Sequence, residues 1–263
     1  MNLLVCFALK EEAAPFRKIA AGTAAAAQAA SILITGIGRQ NAEKSVREFL
    51  AGHSGGASVP ASRSQDAPAS QARLVSSLAP PTLVLTCGFA GALNPDLKPG
   101  EVVFELTDRR GEFHEPQTEK ESGARSALPS ESSSPLREKL LAAGAKPAKF
   151  FCADRIATTV AEKKKLRAET GVDAVEMESG AIHAICRERG IPCATIRVIS
   201  DTANEDLPLD FNALSKPDLS LDYGKLAWAI ARSPGKISAL LKLQKQTRFA
   251  AERLADILGK IIW

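Results

Sequence analysis

The sequence lacks the marks of several large protein classes, and each absence narrows what the chain does. Its five cysteines (Cys6, Cys87, Cys152, Cys186, Cys193) are odd in number and dispersed, with no CxxC spacing. Such a set reads as reduced thiols buried as small hydrophobes, which excludes a disulfide framework or a zinc ribbon. None of the three histidines has a second ligand at metal spacing, so no metal site is expected. No apolar run approaches the roughly 18 residues that span a bilayer. The first residues have neither the basic start nor the small-residue cleavage site of a signal peptide, so the expectation is a soluble, cytoplasmic protein. An excess of one charge sign is also missing: the net value is only +4 over 263 residues. Lys and Arg are read as spread along the chain, which implies no nucleic-acid partner and no membrane partner. The run Lys163-Lys164-Lys165 is read as a solvated helix face. There is no internal repeat.

What is present is an alternation of short apolar runs with helical patterns. Leu3–Leu9 is continuously apolar, as a strand buried on both faces would be. Strands are also expected at Ser31–Thr35, Thr82–Thr86, Glu101–Leu106, Phe150–Ile156 and Pro192–Ser200, with helices after Lys10, from Asn41, over Ser134–Ala145 and Ala161–Thr170, and from about Met177. Strands alternating with helices predict a mainly parallel sheet covered on both faces. Residues 51–81, dominated by Ala, Ser, Gly and Pro, read as a disordered insertion, and 109–135 as a polar surface excursion. Helices close the chain over 223–263. At 263 residues and 45% hydrophobic, one large domain over 1–263 is expected.

Acidic residues interrupt this apolar pattern at informative places. Val175-Glu176-Met177-Glu178-Ser179-Gly180 and Asp201 put carboxylates in segments that otherwise read as core, where they are costly unless partnered or working. Asp201 ends the apolar run after Ile196-Arg197-Val198-Ile199-Ser200, where ligands of open α/β sheets bind. Arg197 shares a strand face with Asp201 by period two if no bulge intervenes; a structural ion pair is its plain alternative. Glu12 follows the first strand just as Asp201 follows a later one, and taken alone it reads as a solvated helix-start residue. Gly36-Ile37-Gly38 could hold an anion on bare amides, but the third glycine of a dinucleotide fingerprint is missing. Gly88-Phe89-Ala90-Gly91-Ala92 follows a strand and reads either as backbone that approaches a ligand or as a tightly packed turn, and Phe211 as a cap on a pocket or a core plug.

Together, Leu9-x-Glu11-Glu12, Thr35-Gly36-Ile37-Gly38, Gly88-Phe89-Ala90-Gly91, Val175-Glu176-Met177-Glu178 and Ile199-Ser200-Asp201-Thr202-Ala203 resemble the nucleoside phosphorylase superfamily, most closely its 5'-methylthioadenosine/S-adenosylhomocysteine nucleosidase branch. The resemblance covers about 2–211 and implies a three-layer α/β/α fold around a mixed, twisted, partly barrel-like central sheet, assembled as a homodimer. It implies a small-molecule nucleoside substrate and no cofactor. Carried over by position, Asp201 protonates the leaving purine and Glu12 activates water. Glu178 holds the ribose hydroxyls, Met177 lines the sugar and Phe211 covers it. Backbone near Gly91 and Ala157 edges the base. Glu176, Arg197 and Ser200 complete the set. Two positions depart from the branch: Phe89 stands where a serine is usual, and Ile156 where an aromatic stacks on adenine.

The chemistry agrees with these roles. Breaking an N-ribosyl bond builds an oxocarbenium-like sugar and charge on the base, so one acid protonates the leaving group while a carboxylate opposite activates water. Asp201 must then carry or share a proton. Phosphorylases of the superfamily carry an arginine-bearing phosphate loop where this chain has Ala8-Leu9-Lys10-Glu11-Glu12. A phosphate without an arginine clamp is poorly held, so water is the expected nucleophile. Lys10, Arg39 or a neighbouring subunit's arginine would be needed for phosphorolysis, the runner-up. A degenerate, non-catalytic nucleoside-binding protein is the alternative of another class.

Overall fold

The structure, a computed structural model, describes residues 2–22, 30–53, 80–106 and 134–263. In chain order, β1 (Leu3–Phe7), α1 (Lys10–Ala21), β2 (Ala30–Ile34) and α2 (Arg39–Ala51) are followed by β3 (Leu83–Ala92) and β4 (Val102–Leu106). Next come α3 (Pro135–Ala142), β5 (Lys146–Pro147), β6 (Phe150–Cys152), α4 (Val160–Thr170), β7 (Ala174–Glu176), α5 (Ser179–Glu188) and β8 (Cys193–Asp201). The chain closes with α6 (Tyr223–Arg232), a 3₁₀ turn at Pro234–Lys236 and α7 (Ile237–Ile262).

The eight strands form one mixed sheet in the order β2-β1-β3-β8-β4-β5, with β7 pairing β3 and β6 pairing β7 off that path. β1, β2, β3 and β8 run parallel, while β4 is antiparallel to β8, and β7 to the far end of β3. β3 therefore pairs twice along its length, and this branching gives the sheet its partly barrel-like character. The continuous apolar reading of β1 has a direct cause. Leu3, Val5 and Phe7 enter a core shared with α1, α3 and the second half of α7, whereas Leu4 and Cys6 enter one shared with α2 and α5. Period two thus sends alternate side chains into two helix layers. In α7 the burying stripe is Ala250, Leu254, Leu258 and Ile261, at helical spacing.

Two sequence expectations change. Gly88–Ala92, read as a turn, continues β3 as strand, because Phe89, Ala90 and Gly91 pair with β8. The strand expected over 150–156 ends at Cys152, where its pairing with β7 stops at Glu176. Most of the expected insertion and excursion, 54–79 and 107–133, lies outside the described residues; Ala51 closes α2 and Pro135 opens α3.

Candidate active site

Glu12 occupies the first turn of α1 and is almost wholly buried. Its Oε2 accepts the Leu9 backbone N–H at 2.9 Å, and its Oε1 accepts the Phe89 N–H of β3 at 2.9 Å. Burial raises its carboxyl to about 7, with the nearby Glu178 carboxylate adding to the rise. The helix-start position is as read, but the solvated alternative is wrong: β3 covers the side chain. Gly88 makes that approach possible, since a Cβ there would sit 2.7 Å from Arg197 Nη1 and 2.9 Å from Glu12 Oε1.

Glu176, at the end of β7, accepts the Glu178 N–H at 3.0 Å and the Ser179 N–H at 2.8 Å. Arg197, fully buried in β8, donates to Glu176 Oε2 and to Thr86 Oγ1 (3.2 Å), and lies 3.3 Å from Glu178 Oε2. Burial alone would push the Glu176 carboxyl up, but Arg197 and the Ser179 hydroxyl and amide outweigh it and hold it below the usual range. Glu178 receives less compensation, and burial, with Glu176 close by, leaves its carboxyl raised against the pull of Arg197. Its other oxygen accepts the Gly38 N–H at 2.9 Å. The anion on the Gly36-Ile37-Gly38 amides is thus the protein's own carboxylate, and Gly38 itself (φ +85°) has no room for a side chain against Leu219.

Asp201 closes β8. The pairing of β8 with β3 jumps from Ala90–Ile199 to Gly91–Asp201, an irregularity at Ser200. The proviso on period two therefore fails here: the bulge breaks alternation, and both Ser200 and Asp201 line the cavity while Arg197 lies behind it. Ser200 Oγ donates to Asp201 Oδ1 at 2.6 Å. Lys163 Nζ donates to Asp201 Oδ2 at 2.6 Å and to the Thr202 and Glu205 carbonyls at 2.6 and 3.0 Å. Lys163 is 0% exposed, which overturns its reading as part of a solvated face. The signal was available: Val160, Leu166 and Thr170 place Lys163 on the inward stripe of α4, and a helix capped by Thr159 with Glu162 fixes that phase. Lys164 and Lys165 are exposed.

These elements surround a cavity of about 260 Å³. Glu12, Phe89, Gly91, Ile156, Ala157, Glu176, Met177, Glu178, Ser200, Asp201 and Phe211 all line it. Of the site residues that the resemblance implies, Arg197 alone does not: it stands behind Glu176 and Glu178 and holds them in place. Further lining comes from Ala8, Leu9 and Ile37, which lie within the quoted motifs, and from Arg155, Leu207, Leu243 and Thr247, which sequence reasoning did not find. Asn212 was missed too. Its side-chain amide donates to the Ile156 carbonyl and accepts the Ile156 N–H, each at 2.9 Å, and so clips the Phe211 segment to the cavity wall. The arrangement places four carboxylates, of which Glu12 and Glu178 sit in the protected environment that favours a carried or shared proton, around one largely apolar space. Arg39, a candidate phosphate ligand, does not line the cavity; it pairs with Asp154 at 3.3 Å.

A model of the Phosphorylase superfamily matches residues 7–220. A stretch of 78 residues is 32% identical to aminodeoxyfutalosine nucleosidase of Helicobacter pylori and covers 30% of each protein. A stretch of 40 residues is 50% identical to 5'-methylthioadenosine/S-adenosylhomocysteine nucleosidase of Shewanella oneidensis, covering 15% of this chain and 17% of that protein. The matched stretches thus span less than a third of the length of these curated relatives. Among solved structures, the Helicobacter pylori futalosine hydrolase superposes with a TM-score of 0.58 at 14% identity, over 100% of this chain and 97% of that one. The Neisseria meningitidis 5'-methylthioadenosine/S-adenosylhomocysteine nucleosidase, in complex with methylthio-immucillin-A, gives 0.59 at 18% identity, over 99% and 98%. With the family model running from the end of β1 to just short of α6, and the fold shared along nearly the whole length of both structures, the chain belongs to the Phosphorylase superfamily, an enzyme family.

Proposed function

We propose that the protein cleaves the N-ribosyl bond of a purine nucleoside with water, releasing the free base and a ribose derivative. The observation that carries this reading is the convergence of Glu12, Glu178 and Asp201, remote in sequence, on one cavity. Glu12 acts as the base on water. Its raised carboxyl, about 7, suits proton abstraction near neutral pH. Asp201 delivers the proton to the departing base, and Lys163 at 2.6 Å stabilises the carboxylate left behind. Glu178, held by Gly38 and Arg197, keeps lone pairs for ribose hydroxyls. Phe89, Ile156, Leu207 and Phe211 offer apolar wall rather than hydrogen bonds, which suits a substrate with an apolar 5' group of the methylthioadenosine kind.

Water is favoured over phosphate by charge. The cavity is lined by four carboxylates and, among the described residues, a single cation, Arg155, which is itself paired with Glu162. A phosphate dianion would meet repulsion there. The test is release of free purine from methylthioadenosine, adenosylhomocysteine, aminodeoxyfutalosine, adenosine and inosine, with and without phosphate. Release without phosphate is expected, and a strict phosphate requirement would overturn the hydrolytic assignment. The same assay on size-exclusion fractions tests the expected homodimer as the active species.

A further inference from the structure

Lys and Arg are not spread evenly along this chain. The segment Tyr223–Phe249 contains Lys225, Arg232, Lys236, Lys242, Lys245 and Arg248 and no acidic residue, so the remainder of this +4 chain is net acidic. It lies beyond the residues matched by the family model, which end at 220. From Tyr223 to Phe249 every residue is exposed or half-buried, and α6 buries none of its residues against the body. Yet the segment is not polar. Tyr223 and Trp228 are 76% and 62% exposed, Ile237 and Leu241 43% and 52%. The Arg232 guanidinium lies 4.4 Å over the Trp228 ring. Lys242 and Arg248 meet Glu205 and Glu252.

We propose that α6 and the first half of α7 dock this protein on an anionic lipid bilayer. Trp228 stands beside Lys225 and Arg232 on α6, and Ile237 and Leu241 beside Lys245 and Arg248 on α7, so the exposed face mixes cations with apolar side chains; such a face lies in the headgroup layer, its cations on anionic lipids and its rings at the interface. Both halves of the composition are then used. Nucleic acid would engage the cations and leave Ile237 and Leu241 facing water. A second copy meeting the same face would bring like charges together, as a twofold interface must. Among the described residues no helix is long and apolar enough to cross a membrane, so the contact is peripheral. α7 also supplies Leu243 and Thr247 to the cavity, which puts the docked face beside the site. The proposal does not rest on the reaction assigned above.

The test is cosedimentation of the full chain with phosphatidylcholine vesicles, with and without phosphatidylglycerol, at low and high salt. Binding is expected only with phosphatidylglycerol and is reversed by salt. The double variant Lys236→Glu/Lys245→Glu is expected to bind more than about 25-fold more weakly, at roughly fivefold for each lysine, with an unchanged melting temperature. Trp228→Ser is expected to weaken binding without altering its salt dependence. In a Trp263→Phe background, the emission of Trp228 should shift to the blue on adding the anionic vesicles. Absence of binding to those vesicles overturns the proposal. So does equal binding by both variants, a concentration-dependent dimer that buries Trp228 in place of vesicle binding, or duplex DNA binding as tight with no Trp228 shift.

Discussion

Glu12→Gln separates two effects that the structure sets against each other. The native carboxyl is raised from 4.5 to about 7, chiefly by burial. Below 4.5 both folded and unfolded states carry the proton, and Glu12 costs nothing. Between 4.5 and about 7 the unfolded chain ionises while the folded protein keeps its proton, so stability falls as pH rises. Above that range both states are ionised, and the folded protein bears a penalty of about 3 kcal/mol. Glutamine never ionises and escapes this. It has a different cost: the Leu9 and Phe89 N–H groups each need an acceptor, and the amide nitrogen of glutamine cannot be one. An unsatisfied buried donor costs about 1–3 kcal/mol. The variant should therefore be less stable than the parent near pH 4 and equal to it or more stable near pH 8, a swing of about 3 kcal/mol. Denaturant unfolding of both proteins across that range measures the difference directly, since contributions shared by both cancel. A stability difference that stays constant with pH would refute the assigned environment of Glu12.

Other outcomes follow from the same contacts. Asp201→Asn should lose turnover by ~10²–10⁴ while remaining folded, measured by purine release and circular dichroism. Lys163→Met breaks a buried pair and should destabilise by about 3–5 kcal/mol; adding Asp201→Asn should restore much of that, and strict additivity in the cycle would deny the coupling. Gly88→Ala drives a Cβ into Arg197 and Glu12 and should cost about 1–3 kcal/mol with loss of activity. Gly144→Ala, where nothing lies within 4 Å, should leave turnover intact. With Glu12 as the base, kcat/KM should rise with pH through about 7 in the parent, and a pH-independent value would remove it from that role.

Much of the fold was legible because each signal was local. The apolar run of β1 and the helical stripe of α7 follow from periodicity and burial alone, Glu178 and Asp201 could be singled out because carboxylates in core-like segments need a reason to be there, and Glu12 was singled out through the family resemblance. β3 was cut short in the sequence reading because glycines signal turns; its pairing with β8 overrides that preference through backbone hydrogen bonds that composition does not encode. Lys163 was misread for a related reason. The basic run hid the inward stripe that Val160, Leu166 and Thr170 set, and only the approach of α4 to the end of β8 supplies the carboxylate and carbonyls that satisfy its ammonium.

Sequence by itself therefore determined the alternation of strands and helices, the identities of the acidic residues and the uneven placement of charge near the end of the chain, since these depend on residue type and spacing. Tertiary structure decided which oxygen meets which donor: that Gly38 serves Glu178, that Arg197 stands behind the cavity, and that a bulge at Ser200 brings Asp201 to Lys163. Those outcomes depend on the register between strands distant in the chain, and a register is a property of paired backbones rather than of any one segment.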